Sequence, residues 1–132
     1  MRARKRIAPG WPWDDDFNMS QAIEIGNTIY VSGQVSMDSA GNVVGPGDMQ
    51  AQTRQALENI KTVLESAGSS MADVVKITTY LTDISTYADF AKARTEAFPG
   101  GVPASTAVAT PALVMPELLV EVEAMAVIGS GS

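Results

Sequence analysis

Alternation of apolar and polar residues predicts strands in the first third and in the second half of the chain. The stretch from Ala22 to Val35 contains two alternating runs separated by Gly26 and Asn27, which tolerate the positive φ angles of tight turns. We therefore predict a β-hairpin there, followed by a second turn at Gly41. The same periodicity predicts further strands over Asp73–Thr82, Ser105–Thr110 and Leu118–Ile128.

Helical periodicity separates these strands in two places. Apolar residues recur three and four positions apart between Pro46 and Gly68, so this stretch predicts a long amphipathic helix. Asp48 suits its N-cap, where a carboxylate accepts hydrogen bonds from free backbone amides, and Gly68 suits the position just after its end. A second helix is predicted to begin at a cap formed by Ser85 or Thr86 and to stop at the Pro-Gly-Gly that follows.

The order of these elements predicts the fold class. Two strands, a helix, a strand, a helix and two strands predict an α+β fold in which both helices pack on one face of a mixed sheet. The other face would stay uncovered and largely apolar, which favours assembly with further copies of the chain. A length of 132 residues suits one domain. We assign it to residues 18–128, between a basic tail with a Trp- and Pro-rich arm (1–17) and a flexible Gly-Ser tail (129–132).

The N-terminal segment differs from the rest in charge. Arg2, Arg4, Lys5 and Arg6 hold four of the nine basic residues, so the remaining chain carries five basic against fifteen acidic residues and a net charge of −10. Such a body repels phosphate backbones and disfavours nucleic acid as a partner. We expect the tail to be a solvated, disordered end. We expect Pro9–Phe17, too rich in proline for a regular helix, to lie on the surface with its tryptophans packed on the chain's own body.

Two missing residue types exclude several kinds of chemistry. The chain has no cysteine and no histidine, so disulfides, thiol catalysis, zinc–thiolate sites and a histidine general base are excluded. Carboxylates, hydroxyls, backbone groups and water are left for any reaction, and we expect neither a cofactor nor a metal. No apolar run reaches the roughly 18 residues of a membrane span, and no export segment is recognised. We therefore expect a cytoplasmic protein with no membrane partner.

The last predicted strand carries two acidic residues on one face. Because side chains alternate across a strand, Glu121 and Glu123 share a face with Met125 and Val127 that is otherwise apolar. Desolvation raises the pKa of a carboxyl group in such surroundings, which suits a group that accepts and returns a proton near neutral pH. Periodicity alone does not distinguish the two glutamates.

Four segments of the chain resemble one known family. They are IYVSGQV at Ile29–Val35, AQTRQALENIKTVLESAG at Ala51–Gly68, DVVKITTYLTD at Asp73–Asp83 and VEVEAMAV at Val120–Val127. In this order and spacing they are similar to the reactive-intermediate deaminase (Rid) family, also called the YjgF or L-PSP endoribonuclease family. The resemblance implies a chorismate-mutase-like fold and a homotrimer with a central barrel, in which small molecules bind at subunit interfaces. Family members hydrolyse imines and enamines.

The resemblance also assigns site residues. Glu121 falls where the family has a glutamate that positions water. Ser32 and Gly33 match a Ser-Gly pair that lines the same pocket. An aromatic residue after the N-terminal arm has Phe17 as its counterpart here, with Met19 as the alternative.

The segment Pro103–Thr106 departs from the family pattern. Active members have Pro-Ala-Arg-Ser/Thr, whose arginine holds the substrate carboxylate, whereas this chain has Ser105 in the arginine's place. A serine hydroxyl does not replace a bidentate guanidinium–carboxylate contact. Ser105 and Thr106 would instead offer hydroxyls, and backbone amides as far as Ala107 would hold a carbonyl oxygen.

The leading hypothesis is a cofactor-free hydrolase of the Rid type. In it Glu121 directs water at an imine or enamine of a small metabolite other than a standard 2-imino acid, and Glu123 belongs to the supporting structure. Arg54, Lys76 and Arg94 are the other candidate cations, and each is expected to be solvated or salt-bridged. The alternative is a non-catalytic binding or sensing module that uses the same inter-subunit pocket. A ribonuclease is disfavoured by the acidic body and the missing histidine.

Overall fold

The computed structural model describes residues 3–131, which form one sheet and three α-helices. In chain order the elements are β1 (Lys5–Ile7), α1 (Pro12–Asp16), β2 (Ala22–Ile25), β3 (Thr28–Val35), α2 (Met49–Ser66), β4 (Val74–Leu81), α3 (Tyr87–Ala97), β5 (Ala104–Ala109) and β6 (Val120–Val127). Short 3₁₀ turns at Met71–Asp73 and Ile84–Thr86 precede β4 and α3. Arg2 of the basic tail and Ser132 of the Gly-Ser tail lie outside the described residues.

The sheet is mixed, as the order of elements predicted. Its six strands lie in the order β1-β2-β3-β6-β4-β5, so β5 forms one edge. Neighbouring strands are antiparallel except β4 and β5, which are parallel. Because β3 and β4 both run antiparallel to β6, they run in the same direction on either side of it. The predicted α+β class is confirmed.

The hydrophobic core lies between one face of the sheet and the helices. In β6 the apolar residues Val120, Val122, Ala124 and Ala126 are buried, while the residues between them are half-buried or exposed, as the alternation predicted. Ile60 of α2 packs into the same core. Burial of an aliphatic side chain of this kind stabilises the fold by roughly 1.5–3 kcal/mol. Glu121 and its neighbours on the opposite face are therefore left free of the core.

The predicted helix caps are confirmed in full for α2 and in position only for α3. The Asp48 carboxylate accepts a hydrogen bond of 3.0 Å from a backbone amide of the first turn of α2, and Gly68, with φ of +78°, follows its end. Thr86 precedes α3 but its side chain makes no capping bond. Asp83 instead accepts a bond of 3.0 Å from the backbone N–H of Ser85 in the preceding turn. Thr86 is thus the N-cap residue of α3 by position, as predicted, but it makes no side-chain capping bond.

Part of the basic tail is ordered, contrary to prediction. Lys5–Ile7 form β1, which pairs with β2 and buries Ile7. Arg6 donates through Nε to Ser20 Oγ at 3.1 Å and through Nη2 to the carbonyl oxygen of Met19. The positive charges of this segment favour a solvated chain, but backbone pairing with the edge of β2 and burial of the Ile7 side chain outweigh that preference.

The Trp- and Pro-rich arm contains the short helix α1, where no regular helix was predicted. Pro12 lies in its first turn, where the missing N–H has no intrahelical partner to lose. Asp14 is buried and accepts a hydrogen bond of 3.0 Å from the backbone N–H of Trp11. Trp11 packs against the core and stacks on Trp13, with ring centroids 5.2 Å apart. The tryptophans therefore pack on the chain's own body, as predicted.

The Gly-Ser tail is also bonded to the body where flexibility was expected. Ser130 Oγ donates to the carbonyl oxygen of Asp73 at 3.3 Å, and the backbone N–H of Gly131 donates to its carboxylate at 3.0 Å. A hydrogen bond from the Ser69 hydroxyl, followed by the one from Gly131, lowers the pKa of the Asp73 carboxyl group. A buried carboxylate with fixed donors holds the tail at this point.

Candidate functional site

A cleft of about 390 Å³ opens beside Glu121, and we call it the Glu121 cleft. The cleft lies between α1, the residues just before β2, the end of β3, the middle turns of α2 and the loop before β6. Its lining is mostly apolar with a few amides and one carboxylate: Trp13, Phe17, Met19, Gln21, Gly33, Gln34, Val35, Met37, Asn59, Val114 and Glu121. Three of the predicted residues, Glu121, Gly33 and Phe17, are therefore brought together. Met19, the alternative to Phe17, lines the same cleft.

An irregularity in β3 shapes the wall of the cleft. Val31 pairs with Ala124 and Gln34 with Val122, so three steps along β3 match two along β6. The extra residue forms a β-bulge at Ser32 and Gly33 and changes which way the strand points its side chains.

Gly33 makes room for the Glu121 carboxylate. A Cβ atom at Gly33 would lie 2.6 Å from Glu121 Oε2 and 2.7 Å from its Cδ. Such distances are too short for non-bonded atoms, so any larger residue would displace the carboxyl group. The requirement for glycine comes here from close approach, and it ties one predicted residue to the other.

Burial raises the pKa of the half-buried Glu121 carboxyl group, and the negative charge of Glu123 raises it further. Within residues 3–131 no hydrogen bond reaches this carboxylate. It is therefore available to water or to a ligand in the cleft. A carboxyl group with a raised pKa and a free pair of oxygens is suited to taking a proton from water.

Glu123, two residues further along the same face, has a partner. The Tyr80 hydroxyl donates to Glu123 Oε1 at 2.5 Å, and this bond is the largest cause of a raised pKa of the Tyr80 phenol. The tyrosine thus keeps its proton and holds the carboxylate in place. This pairing agrees with the structural role expected for Glu123.

Buried side-chain amides along the cleft connect the arm, the sheet and α2. Gln34 Nε2 donates to Gln21 Oε1 at 2.8 Å, and Gln21 Nε2 donates to Asp14 Oδ1 at 2.6 Å. Asn59 Nδ2 donates to the backbone carbonyls of Val35 and of the nearby Met37, at 3.0 and 2.9 Å. Sequence reasoning missed these residues, although Asn59 on the apolar stripe of α2 was an available signal.

Ser32 lies in the bulge but does not line the cleft. Its hydroxyl donates to the carbonyl oxygen of Ser20 at 2.8 Å. In this arrangement the hydroxyl fastens β3 to the start of β2. Its predicted contact with a substrate stays a prediction.

Ser105, Thr106 and Ala107 do not reach the Glu121 cleft of their own chain. They lie on the edge strand β5, opposite Ile77, Thr78 and Thr79 of β4, whereas Glu121 on β6 lies opposite Tyr80. The two halves of the predicted site are thus separated by β4 and meet only if a second copy supplies one of them.

The side chains of β5 face both sides of the sheet. Thr106 shares the uncovered face with Lys76, whose Nζ donates to its Oγ1 at 2.6 Å. Ser105 lies on the helix-covered side, where its Oγ accepts a hydrogen bond of 3.2 Å from Arg94 Nη1. Lys76 was expected to be solvated or salt-bridged, and it is hydrogen-bonded instead. The hydroxyl of Ser105 is already in contact with a guanidinium from α3.

Two negative findings hold for the described part of the chain. No helix within residues 3–131 is both long and apolar enough to cross a membrane. The same residues contain no cluster of three or more acidic side chains arranged to hold a metal ion.

Comparison with known proteins shows the family of the chain. The family model described as Endoribonuclease L-PSP matches residues 16–128. A RutC family protein from Pyrococcus abyssi is 42% identical over 107 residues, which are 81% of this chain and 84% of the relative.

Solved structures agree with this match. The crystal structure of a putative endoribonuclease L-PSP from Entamoeba histolytica superimposes with a TM-score of 0.87 at 38% identity, over 96% of this chain and all of that one. RidA from the Antarctic bacterium Psychrobacter sp. PAMC 21119 superimposes with a TM-score of 0.78 at 37% identity, over 83% and 88% of the two chains. The chain therefore belongs to the Endoribonuclease L-PSP family, which is also called the YjgF or Rid family.

Proposed function

We propose that this protein hydrolyses an imine or enamine of a small metabolite, with Glu121 directing the water. The observation that carries the proposal is a half-buried carboxylate with a raised pKa, set against Gly33 in the wall of the Glu121 cleft. With no histidine in the chain, this carboxylate is the best-placed proton acceptor in the cleft. The name of the Psychrobacter relative, RidA, supports a reaction of this class.

The reaction is a simple hydrolysis. The oxygen of water bonds to the imine carbon while Glu121 takes a proton from that water, and the electron pair of the C=N double bond moves to nitrogen. Glu121 returns the proton to nitrogen, giving a carbinolamine. Glu121 then takes the hydroxyl proton of the carbinolamine and passes it to the nitrogen, the C–N bond breaks as the oxygen electron pair forms C=O, and ammonia and the carbonyl product leave. No cofactor is needed for any of these steps.

The residues that line the cleft indicate the charge of the substrate that it would bind. No basic residue is among the described residues that line it, and Trp13, Phe17, Met19 and Val114 give it apolar walls. Since Ser105 stands where other members hold a carboxylate with arginine, the substrate is either uncharged or anchored by another cation. A standard 2-imino acid fits this description poorly.

We propose further that a second copy of the chain completes the site. Family members are usually homotrimers. The sheet edge formed by β5 exposes Ser105 and Thr106, with Ala107 half-buried beside them. If a neighbouring copy presents this edge to the Glu121 cleft, these residues add hydroxyls and backbone amides to a wall formed by Gly33 and Phe17.

The missing arginine favours one other function, a binding module that holds a metabolite without converting it. One experiment distinguishes the hydrolase from the binding module. Imines are generated from amino acids by an amino-acid oxidase, and neutral imines from primary amines by an amine oxidase, and ammonia release is followed with and without the protein. An enzyme accelerates release from at least one imine and does little for 2-iminobutanoate. Recovery of every bound compound intact, with no acceleration, supports the binding module.

The family description raises a third activity, RNA cleavage. The net charge of −10 outside residues 1–6 opposes binding of a phosphate backbone. Cleavage of RNA by purified protein, abolished by Glu121→Ala, would replace the hydrolase proposal.

A further inference from the structure

We propose that Arg94 binds a carboxylate of the substrate, so that α3 supplies the cation that β5 lacks. This inference rests on the proposed function and specifies the substrate: an imine or enamine whose carboxylate is set back from the reacting carbon.

The Arg94 guanidinium is held in a definite position. Its Nη1 donates to Tyr87 Oη at 3.0 Å and to Ser105 Oγ at 3.2 Å. Its central carbon lies 5.4 Å from the centroid of the Phe90 ring and 5.7 Å from that of Tyr87. Rings at these distances attract a cation and fix its plane. The side chain is half-buried, and both groups to which it donates are hydroxyls, not carboxylates.

The guanidinium has no counter-charge within the described chain. The one ion pair of residues 3–131 joins Arg54 to Glu96 at 3.0 Å. Arg94 Nε is buried and donates to no acceptor within the described residues, and Nη2 likewise has none. A partly buried cation with unused donors is costly unless an anion or an acceptor completes it. The planar carboxylate is the anion that matches a guanidinium in bidentate geometry.

Ser105 brings this cation to the edge of β5 that, in the proposed oligomer, faces the Glu121 cleft of a second copy. Ser105 is exposed on the edge strand, and its small side chain leaves the space into which Arg94 reaches. The side chain of an arginine at position 105 would start from the point that Arg94 now reaches and would place a second positive charge close to the first, where like charges repel. The serine and Arg94 are therefore complementary.

The same geometry limits the substrate. An arginine on β5 would extend its guanidinium outward beyond the strand by the length of its side chain. Arg94 begins on α3 and ends at the Ser105 hydroxyl, so its anion site lies further back. A substrate carboxylate that binds Arg94 must lie several bonds from the imine carbon that the Glu121-directed water attacks. Hydrolysis of such a substrate gives a keto acid whose carboxylate is several bonds from its carbonyl carbon.

The inference is tested by binding, which does not depend on turnover. Isothermal titration calorimetry on the full chain, in a Glu121→Gln background, compares 4-oxopentanoate with its neutral amide 4-oxopentanamide and with 2-oxobutanoate. We expect 4-oxopentanoate to bind more tightly than either of the others. Arg94→Gln should weaken it at least tenfold, in line with the loss of a charged hydrogen bond, and leave the amide unchanged. The matched control Arg54→Gln, which removes the paired arginine, should change neither.

Other outcomes overturn the inference. Equal binding of acid and amide, or an unchanged affinity for the acid in Arg94→Gln, excludes Arg94 as the anion site. Tighter binding of 2-oxobutanoate than of 4-oxopentanoate excludes the remote carboxylate. Dissociation of the oligomer in Arg94→Gln, with the affinity for the acid preserved, assigns the arginine to an acid of the partner subunit. If Arg94→Gln does not fold, Arg94→Lys keeps the charge and should lose affinity for the acid only in part.

Because the binding measurement does not depend on turnover, the failure of the anion site and the failure of the hydrolase proposal are distinguishable. Binding of 4-oxopentanoate through Arg94 with no turnover of any imine would retain the anion site and remove the hydrolase. Turnover that is insensitive to Arg94→Gln would do the reverse.

Discussion

Glu121 and Glu123 lie two residues apart on the same face of β6, yet their surroundings differ. The Glu121 carboxylate is set against Gly33 in an apolar cleft and has no hydrogen-bond donor within residues 3–131. The Glu123 carboxylate accepts a bond of 2.5 Å from the Tyr80 hydroxyl. The raised pKa is found for the first carboxyl group, and a fixed position for the second. Two identical residues at equivalent strand positions thus differ in their chemistry, because residues far away in the chain surround them differently.

The largest expected effect separates the two glutamates directly. Glu121→Gln removes the proton acceptor and should lower kcat for imine hydrolysis about 10²–10⁴-fold, the usual contribution of general acid–base catalysis. Glu123→Gln is the matched control, since its amide oxygen still accepts from Tyr80, and should keep kcat within about threefold. Ammonia release by both variants, at equal concentrations of folded oligomer, is the measurement. Similar losses in the two variants would contradict the distinction.

Gly33→Ala tests whether the position of the Glu121 carboxylate matters. The added Cβ would lie 2.6 Å from Oε2, so the carboxylate must move. Displacement of a reacting group by about 1 Å can cost a hundredfold in rate, and we expect a loss of that order in kcat/KM. The displaced atoms are the end of a flexible side chain, so Tm should stay close to that of the wild type. An unchanged rate would show that Glu121 does not need this contact.

The pH dependence follows from the raised pKa of Glu121. Catalysis needs the carboxylate, so kcat/KM should rise about tenfold per pH unit up to a pKa above the ordinary glutamate value of about 4.3. The free energy of unfolding depends on pH in the opposite direction, since the contribution of Glu121 to it falls as pH rises. A group with a raised folded-state pKa stabilises the fold below its ordinary pKa and loses that contribution as pH rises through the raised value. Glu121→Gln should remove this slope in urea unfolding followed across pH, and a parallel slope in both proteins would assign it elsewhere.

The smallest effect belongs to the Tyr80–Glu123 pair. Tyr80→Phe removes one partly buried hydrogen bond and should lower the free energy of unfolding by about 1 kcal/mol, with activity changed less than about twofold. Urea unfolding at a fixed protein concentration measures the first quantity and ammonia release the second. A large loss of activity with unchanged stability would move Glu123 from support into the chemistry.

Local patterns were sufficient for most elements of the fold. The hairpin, α2 with its Asp48 cap, and the alternation of β6 all depend on residues within a few positions of each other. The same reasoning failed for Lys5–Ile7, because three residues are too few for an alternating pattern and charge dominated the interpretation. It failed for α1, because a buried Asp14 stabilises one helical turn in a segment with little helical propensity of its own.

The candidate site was predictable only in part. Alternation singled out Glu121 together with Glu123, the resemblance selected Glu121 and added Gly33 and Phe17, and the structure brings these three residues to one cleft. Gln34 and Asn59 were missed, because their role depends on hydrogen bonds between elements that are far apart in the chain. Arg94 was considered as a cation, but nothing in its own segment indicated Ser105 as its partner.

The order of residues thus specifies the alternation that puts Glu121 and Glu123 on one face of β6. It also specifies a chain without histidine or cysteine, in which a carboxylate must do any acid–base work. Which carboxylate is free was settled by the fold, because desolvation and hydrogen bonding depend on neighbours brought in from other strands. Gly33 comes from β3 and the Tyr80 hydroxyl from β4, and neither lies within forty residues of its glutamate along the chain.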